Sequence, residues 1–106
     1  MKRTNKREKI AAIIPAFNEE ENVGNVLKVL LQVKEIDEII LVDDGSEDST
    51  SKIGKRIGVK VVQLNENSGK WNAMKKGVKA TDAKIIIFVD ADLTNLSAKK
   101  IVSLIK

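Results

Sequence analysis

Cysteine and histidine are both absent from this 106-residue sequence. Their absence excludes zinc sites built on these side chains, a cysteine nucleophile, a Ser-His-Asp triad and a disulfide framework. Aromatic residues make up only 3% of the chain, and there is a single proline. No apolar run approaches the roughly 20 residues that span a bilayer, and the N-terminus has no apolar signal-peptide core. Any chemistry in this protein therefore depends on carboxylates, lysine and the backbone.

Basic charge is concentrated at the N-terminus. Residues 1–9 carry five basic side chains against one acid, whereas residues 10–106 carry fourteen of each sign. We interpret residues 1–9 as a basic, flexible leader and the remainder as one domain with no basic field for nucleic acid. The scarcity of aromatic side chains also argues against base stacking. The sequence predicts a soluble, cytoplasmic protein that binds neither nucleic acid nor a membrane.

Short apolar runs alternate with amphipathic segments from residue 10 onward. The apolar runs are residues 10–14, 39–42, 59–64 and 85–89. Helical spacing predicts helices over residues 19–33 and 47–57, from the loop 65–70 to about residue 80, and from near residue 97 onward. Runs that are apolar throughout, each followed by a helix, are typical of parallel strands covered on both faces. The pattern therefore predicts an α/β fold with helices on both faces of the sheet.

Polar residues follow each predicted strand at the point where it ends. They are Asn18 and Glu19, Asp43 and Asp44, the segment 67–70, and Asp90 and Asp92. Ligands of open parallel sheets bind beyond the carboxyl ends of the strands. We therefore expect these four segments to converge on one rim of the sheet.

Four stretches of the sequence resemble, in order and spacing, the N-terminal half of family 2 glycosyltransferases with the GT-A fold. They are IIPAFNEEENV, ILVDDGSEDST, NSGKWNAMKKG and IIIFVDADL, and the resemblance extends over residues 10–104. It implies a Rossmann-like three-layer sandwich with four parallel strands in the order 3-2-1-4. It also implies that residues 10–106 form a half-domain that binds a nucleotide-diphosphate sugar, within enzymes that transfer the sugar to an acceptor with a divalent metal.

Asp90 and Asp92 are the candidate metal ligands. Carboxylates at i and i+2 on extended backbone project to the same side, and their hard oxygens suit Mg²⁺ or Mn²⁺ bridging a pyrophosphate. The resemblance implies that Asp92 ligates the metal and that Asp90, beside it, helps to hold the nucleotide. Acids at a strand end can instead solvate the turn or cap the next helix. The apolar strand before them and the three other matching stretches favour function.

Asp43 and Asp44 are candidate nucleotide contacts at the end of the second strand. Adjacent carboxylates repel each other unless each has a partner, and the resemblance implies that this motif reads the nucleobase. Gly45 permits the tight turn that follows. We assign Ser46 and Asp48 to helix capping rather than to ligand binding.

The first strand is predicted to end at Pro15, which has no N–H for the ladder. The resemblance implies that Pro15, Phe17 and Glu19 belong to the substrate site, with Glu19 contacting the nucleotide and Phe17 near the base. The alternative is an ordinary helix N-terminus, with Asn18 as the cap and Glu19 favouring the helix dipole. Phe17 is equally compatible with a core position.

The segment 67–72 departs from the family's pattern. Family members usually have Gly-Lys-Gly, whereas this chain has Gly69, Lys70 and then Trp71. We expect Gly69 to allow close approach of the backbone to a phosphate, and Lys70 to pair with a pyrophosphate from a helix N-terminus. An ordinary surface lysine is the alternative for Lys70. An indole at position 71 would either obstruct the site, swing out over it, or add a packing contact.

No residue of the chain matches the base with which inverting glycosyltransferases deprotonate the acceptor. The residues after Leu93 include neither Asp nor Glu. We therefore expect an excised half-domain that has no catalytic residue and no transferase activity by itself. An exposed fourth strand would then favour a homo-oligomer through that strand or its neighbouring helices.

Two other function classes fit parts of the pattern. One is a structural or engineered α/β scaffold that self-associates and binds no ligand. The other is a receiver-like phosphoacceptor, whose acids should follow the first and third strands. The acids of this chain follow the second and fourth strands, so the pattern disfavours the receiver.

Overall fold

The computed structural model describes residues 7–93. Strands and helices alternate along this part of the chain. They are β1 (Ile10–Ala16), α1 (Val23–Leu31), β2 (Glu38–Asp43), α2 (Thr50–Ile57), β3 (Lys60–Gln63), α3 (Lys70–Lys79) and β4 (Ile85–Phe88). Most of the predicted leader and the predicted helix from near residue 97 lie outside the described residues.

The four strands form one parallel sheet in the order β3-β2-β1-β4. The strand β1 is central, and its residues Ala11, Ala12, Ile13 and Ile14 are fully buried. A central strand covered on both faces has no solvent side, which explains why its sequence is apolar throughout rather than alternating. The predicted α/β class and the strand order 3-2-1-4 are confirmed.

Two hydrophobic clusters cover the two faces of the sheet. On one face, Val26, Leu27 and Leu30 of α1 pack with Ala12 and Ile14, and residues of α2 join the same cluster. On the other face, Ala73 of α3 packs with Ile13, Ile40 and Val42. Each fully buried Leu, Ile or Val side chain contributes roughly 1.5–3 kcal/mol. The result is the three-layer arrangement that the resemblance implied.

The strand β1 continues through Pro15 to Ala16, one residue beyond its predicted end. Pro15 is opposite Val42 of β2, whereas pairing with β4 stops at Ile13. The Ile13 carbonyl accepts a bond from the Val89 N–H, and the Ala16 carbonyl accepts one from the Asp44 N–H on the other side. Because successive residues face opposite neighbours, the nitrogen of Pro15 points to the β4 side, where the pairing of β1 with β4 has already ended at Ile13.

Two helices begin later than their apolar spacing predicts. The helix α1 begins at Val23 rather than at residue 19, and α2 begins at Thr50 rather than at residue 47. Asn18 has a φ of +53°, and a turn follows in which the Glu19 carbonyl accepts bonds from the Asn22 and Val23 N–H groups. The residues in front of both helices therefore form loops, and these loops build the rim described below.

Residues 7–9 join the opposite end of the sheet. The Arg7 guanidinium donates two bonds to Asp37, with N–O distances of 2.9 and 2.7 Å. The Lys9 ammonium lies 2.8 Å from Asp82 Oδ1 and 3.4 Å from Glu38 Oε1.

No helix in residues 7–93 is long and apolar enough to cross a membrane.

Candidate functional site

A cavity of about 390 Å³ opens at the carboxyl ends of the strands. Loops after all four strands contribute to its wall. The lining residues are Pro15, Ala16, Phe17, Glu19, Asp44, Asn67, Gly69, Lys70, Ala73, Asp90, Ala91 and Asp92. The volume is within the usual range of small-molecule sites. The four segments after the strands lie on one rim, as the sequence predicted.

Asp43 and Asp44 are both buried, but only Asp44 lines the cavity. Asp43 accepts a bond from the Ser46 N–H at 2.9 Å through Oδ1 and a bond from the Ser51 hydroxyl through Oδ2. One of its oxygens therefore binds the turn after β2 and the other binds the first turn of α2. The two neighbouring acids avoid mutual repulsion because each carboxylate has its own set of donors.

Asp44 holds the loop that precedes α3. Its Oδ1 accepts bonds from the N–H and the hydroxyl of Ser68, both at 3.0 Å, and its Oδ2 accepts one from the Gly69 N–H at 2.9 Å. Gly69 has a φ of +99°, a conformation that favours glycine. Asp44 thus connects the end of β2 to the N-terminus of α3 across the cavity wall.

Gly45 lets two loops approach each other closely. Its φ is +80°, and a Cβ at this position would lie 2.4 Å from the backbone carbon of Glu66 and 2.5 Å from the nitrogen of Asn67. Backbone atoms cannot move away from such a contact without displacing the loop. The glycine that was predicted to permit a tight turn therefore also sets the spacing between the β2–α2 and β3–α3 loops.

The loops after β1 and β2 are cross-linked by hydrogen bonds. The Asn18 N–H donates to Ser46 Oγ at 2.8 Å, and Asn18 Oδ1 accepts from the Glu47 N–H at 2.9 Å. The Glu19 N–H donates to Thr50 Oγ1 at 3.0 Å. Asn18 therefore does not cap α1. Ser46, predicted as a cap of α2, is instead an acceptor for the first loop.

A second set of bonds between these loops completes the N-terminus of α2. Glu20 Oε1 accepts from the Ser49 N–H at 3.0 Å, and Asp48 Oδ2 accepts from the Glu20 N–H at 3.2 Å. Asp48 Oδ1 also accepts from the backbone and hydroxyl of Thr50. Burial opposes ionisation of Asp48, but its bonds from Thr50 and Glu20 outweigh that effect and hold its pKa below the ordinary value. The predicted capping role of Asp48 fits this geometry.

Lys70 and Asp90 form an ion pair at the mouth of the cavity. The ammonium nitrogen of Lys70 lies 2.6 Å from Asp90 Oδ1, and the two side chains are 62% and 52% exposed. The hydrogen bond to Asp90 and its charge raise the pKa of Lys70, with a smaller contribution from the charge of Asp92. Lys70 is thus a paired residue of the site rather than an isolated surface lysine.

Asp90 and Asp92 are the two carboxylates that the segment after β4 contributes to the cavity lining. Within residues 7–93 no three His, Cys, Asp or Glu side chains are grouped as a metal cluster. Two exposed carboxylates nevertheless fit a Mg²⁺ or Mn²⁺ ion that completes its shell with substrate phosphates and water, because such ions commonly use one or two protein carboxylates. The donor set therefore suits a metal that arrives with a diphosphate, and not a dedicated all-protein cage.

Trp71 does not fill the cavity. Its side chain is 69% exposed and is absent from the cavity lining. The following turn of α3 presents Ala73 to the cavity instead. Because the indole lies outside the cavity lining, Trp71 can stand where the resemblance implies a glycine without occupying the space for a ligand.

Most of the predicted site residues are brought together by the fold. Those that line the cavity are Pro15, Phe17, Glu19, Asp44, Gly69, Lys70, Asp90 and Asp92, whereas Asp43 lies behind the wall. Sequence reasoning placed Ser68 at this rim within the segment 67–70 but missed its two bonds to Asp44, and it did not single out the small residues Ala73 and Ala91. Alanines carry no chemical signal, and the pairing of Ser68 depends on a contact 24 residues distant in sequence.

Comparison with known sequences identifies the family. The model of glycosyl transferase family 2 matches residues 11–105. An uncharacterized protein of Methanocaldococcus jannaschii is 43% identical over 91 residues, which cover 76% of this chain and 39% of that protein. The 4,4'-diaponeurosporenoate glycosyltransferase of Staphylococcus aureus is 35% identical over 101 residues, which cover 91% of this chain and 27% of that enzyme.

Solved structures show the same architecture. Glucosyl-3-phosphoglycerate synthase of Mycobacterium tuberculosis, in complex with Mn²⁺ and UDP-glucose, matches with a TM-score of 0.84 and 28% identity. The match covers 92% of this chain and 38% of that one. Across these relatives the chain spans between 27% and 39% of the length of the matched protein. The resemblance inferred from four sequence stretches is confirmed.

Proposed function

Because the chain belongs to glycosyl transferase family 2, we propose that it forms the site that binds a nucleotide-diphosphate sugar with Mg²⁺ or Mn²⁺. The observation that carries this proposal is the cavity at the carboxyl ends of the strands, where Asp44, Lys70, Asp90 and Asp92 meet. A structural neighbour in complex with Mn²⁺, UDP and glucosyl-3-phosphoglycerate supports it. In the whole protein, this site would serve transfer of the sugar to an acceptor.

Each cavity residue has a distinct proposed role. Asp92, with Asp90 beside it, would hold the metal, which neutralises the diphosphate leaving group when bound. Lys70 would contact the nucleotide through its ammonium, and Gly69 would let the backbone approach a phosphate. Pro15 and Phe17 would form the apolar part of the wall, beside the base. No catalytic residue is assigned.

The two acids at the end of β2 would have different roles in nucleotide binding. Asp44 lines the cavity and would contact the nucleobase while its oxygens keep the loop before α3 in place. Asp43 would act as a positioning residue, because its carboxylate fixes the turn on which Asp44 stands. Glu19, whose N–H donates to Thr50 and whose side chain lines the same cavity, would contact the nucleotide from the first loop.

A fluorescence titration tests the proposal. Trp71 is the only tryptophan and follows Lys70 in the first turn of α3. Titration with UDP and then GDP, each with and without Mn²⁺, should give a saturable change that depends on the metal, with calorimetry as an independent measure. Asp92→Asn should weaken this binding at least roughly tenfold, since removal of a direct ligand exceeds the effect of an outer-shell change.

The matched control is Asp82→Asn, which removes one exposed carboxylate at the opposite end of the sheet. It should leave nucleotide affinity unchanged. No binding of either nucleotide by calorimetry would refute the proposed function and favour the alternative, an α/β scaffold without a ligand. An assay of sugar transfer from UDP-glucose separately tests the prediction that the 106-residue chain has no transferase activity alone.

Self-association through β4 is a further part of the proposal. Among residues 7–93, β4 pairs with β1 alone, and its side chains Ile85 and Phe88 are exposed. An open strand edge with apolar side chains favours pairing with another copy. Sedimentation equilibrium of the chain should then show a dimer that weakens in Phe88→Lys. A monomer at high concentration would exclude this part of the proposal and leave nucleotide binding untouched.

A further inference from the structure

Lys70 and Asp90 belong to different loops of the cavity. Lys70 is the first residue of α3, after the loop that Asp44 holds, and Asp90 follows β4. Their contact, at 2.6 Å between the ammonium nitrogen and Oδ1, joins the start of α3 to the segment after β4. Both residues line the cavity, so the pair stands where a ligand would enter.

The ammonium of Lys70 competes with a metal cation for the carboxylate of Asp90. Lys70 contributes one positive charge and Asp90 and Asp92 contribute two negative charges to the same cavity wall. A divalent ion that uses Asp90 must either displace the ammonium or accept its repulsion at short range. The side chains are both more than half exposed, so the ammonium can leave Asp90 at small cost.

We propose that Lys70 is a resident counter-cation of the metal site, which occupies Asp90 in the free protein and moves to the nucleotide when metal and diphosphate bind together. The consequence is coupling: the metal alone binds weakly, and the diphosphate strengthens its binding by giving the ammonium another anionic partner. The coupling rests on the proposed function, whereas the competition for Asp90 rests on the ion pair alone.

The test measures Mn²⁺ binding without nucleotide, by the loss of the free-ion electron paramagnetic resonance signal. Lys70→Met should bind Mn²⁺ roughly three- to fivefold more tightly than the unaltered chain, the change that corresponds to an exposed ion pair. Lys70→Arg keeps a cation beside Asp90 and should retain the affinity of the unaltered chain. Lys75→Met, an exposed lysine of the same helix outside the cavity lining, should also leave it unchanged.

Repetition with saturating UDP completes the test. The tighter Mn²⁺ binding of Lys70→Met relative to the unaltered chain should disappear or reverse, because the variant has no ammonium to contact the diphosphate. Equal or weaker Mn²⁺ binding by Lys70→Met without nucleotide would overturn the inference, provided that circular dichroism shows the same fold. If the chain and the variant both bind UDP but neither binds Mn²⁺, the inference fails while nucleotide binding stands. If tighter Mn²⁺ binding occurs without any UDP binding, the proposed function fails and the competition stands.

Discussion

The two ends of the sheet use charged side chains in opposite ways. At the amino end, the basic residues Arg7, Lys9 and Lys60 are matched by Asp37, Glu38 and Asp82 in a series of ion pairs. At the carboxyl end, the cavity wall contains four acids, Glu19, Asp44, Asp90 and Asp92, and one lysine, Lys70. Basic and acidic side chains are paired at the amino end of the sheet, which has no proposed ligand. Acids are in excess at the carboxyl end, where a cation and a nucleotide are proposed to bind.

The acids of the two ends also differ in their partners. At the amino end Asp37 and Glu38 face ammonium or guanidinium groups, and the hydrogen bonds from Arg7 and Thr81, respectively, are the main causes that lower their pKa values. At the carboxyl end Asp43 and Asp44 are held by hydroxyl and backbone donors of neighbouring loops. Neutral donors fix these two carboxylates in place without cancelling their charge, whereas Asp90, a proposed metal ligand, is paired with the ammonium of Lys70.

The largest effect on stability is expected from Asp43→Ala. The change removes the acceptor of the Ser46 N–H and of the buried Ser51 hydroxyl, so the free energy of unfolding should fall by about 2–4 kcal/mol. Urea denaturation followed by circular dichroism measures it. Asp90→Ala is the matched control, because it removes an exposed acid from the same end and should cost less than about 1 kcal/mol. Equal losses in the two variants would contradict the distinction between positioning and ligand-facing acids.

A smaller effect, which depends on pH, is expected from Asp37→Asn. The depressed pKa of Asp37 means that its contribution is present above the unfolded-state value of about 3.8 and is lost as the pH falls through the folded-state value. The variant should be about 1 kcal/mol less stable at pH 7, since the Arg7 pair is partly exposed. The difference should shrink as the pH falls below about 3.8 and through the lower folded-state pKa of Asp37. Denaturation at several pH values tests this, and a constant difference would contradict it. UDP binding should not change.

The sequence predicts the fold well because strand burial produces a local pattern. Runs such as 10–14 and 39–42 are apolar without interruption, and that pattern follows directly from cover on both faces. The loops were predicted less well. Asp43 and Asp44 have identical chemistry and adjacent positions, yet only Asp44 lines the cavity, and nothing in the local sequence distinguishes them. The start of α1 was placed too early because acids such as Glu19 and Glu20 are favourable in the first turn of a helix. Their bonds to Thr50 and Ser49 are long-range contacts that the local sequence does not show.

The smallest effect is expected from Asp82→Asn, which removes an ion-pair partner that is 87% exposed. Lys9 retains Glu38, and its carbonyl still accepts bonds from the Lys84 and Ile85 N–H groups, so no change in the denaturation midpoint should be resolved. Glu38→Gln combined with Asp82→Asn should lose more than the two single variants together, because only the pair leaves Lys9 without a carboxylate. If Asp82→Asn alone destabilised the chain as much as Asp37→Asn, the amino end would not be redundant. Redundancy is the property that separates the two ends, since among residues 7–93 Lys70 is the one lysine that lines the cavity and can pair with Asp90.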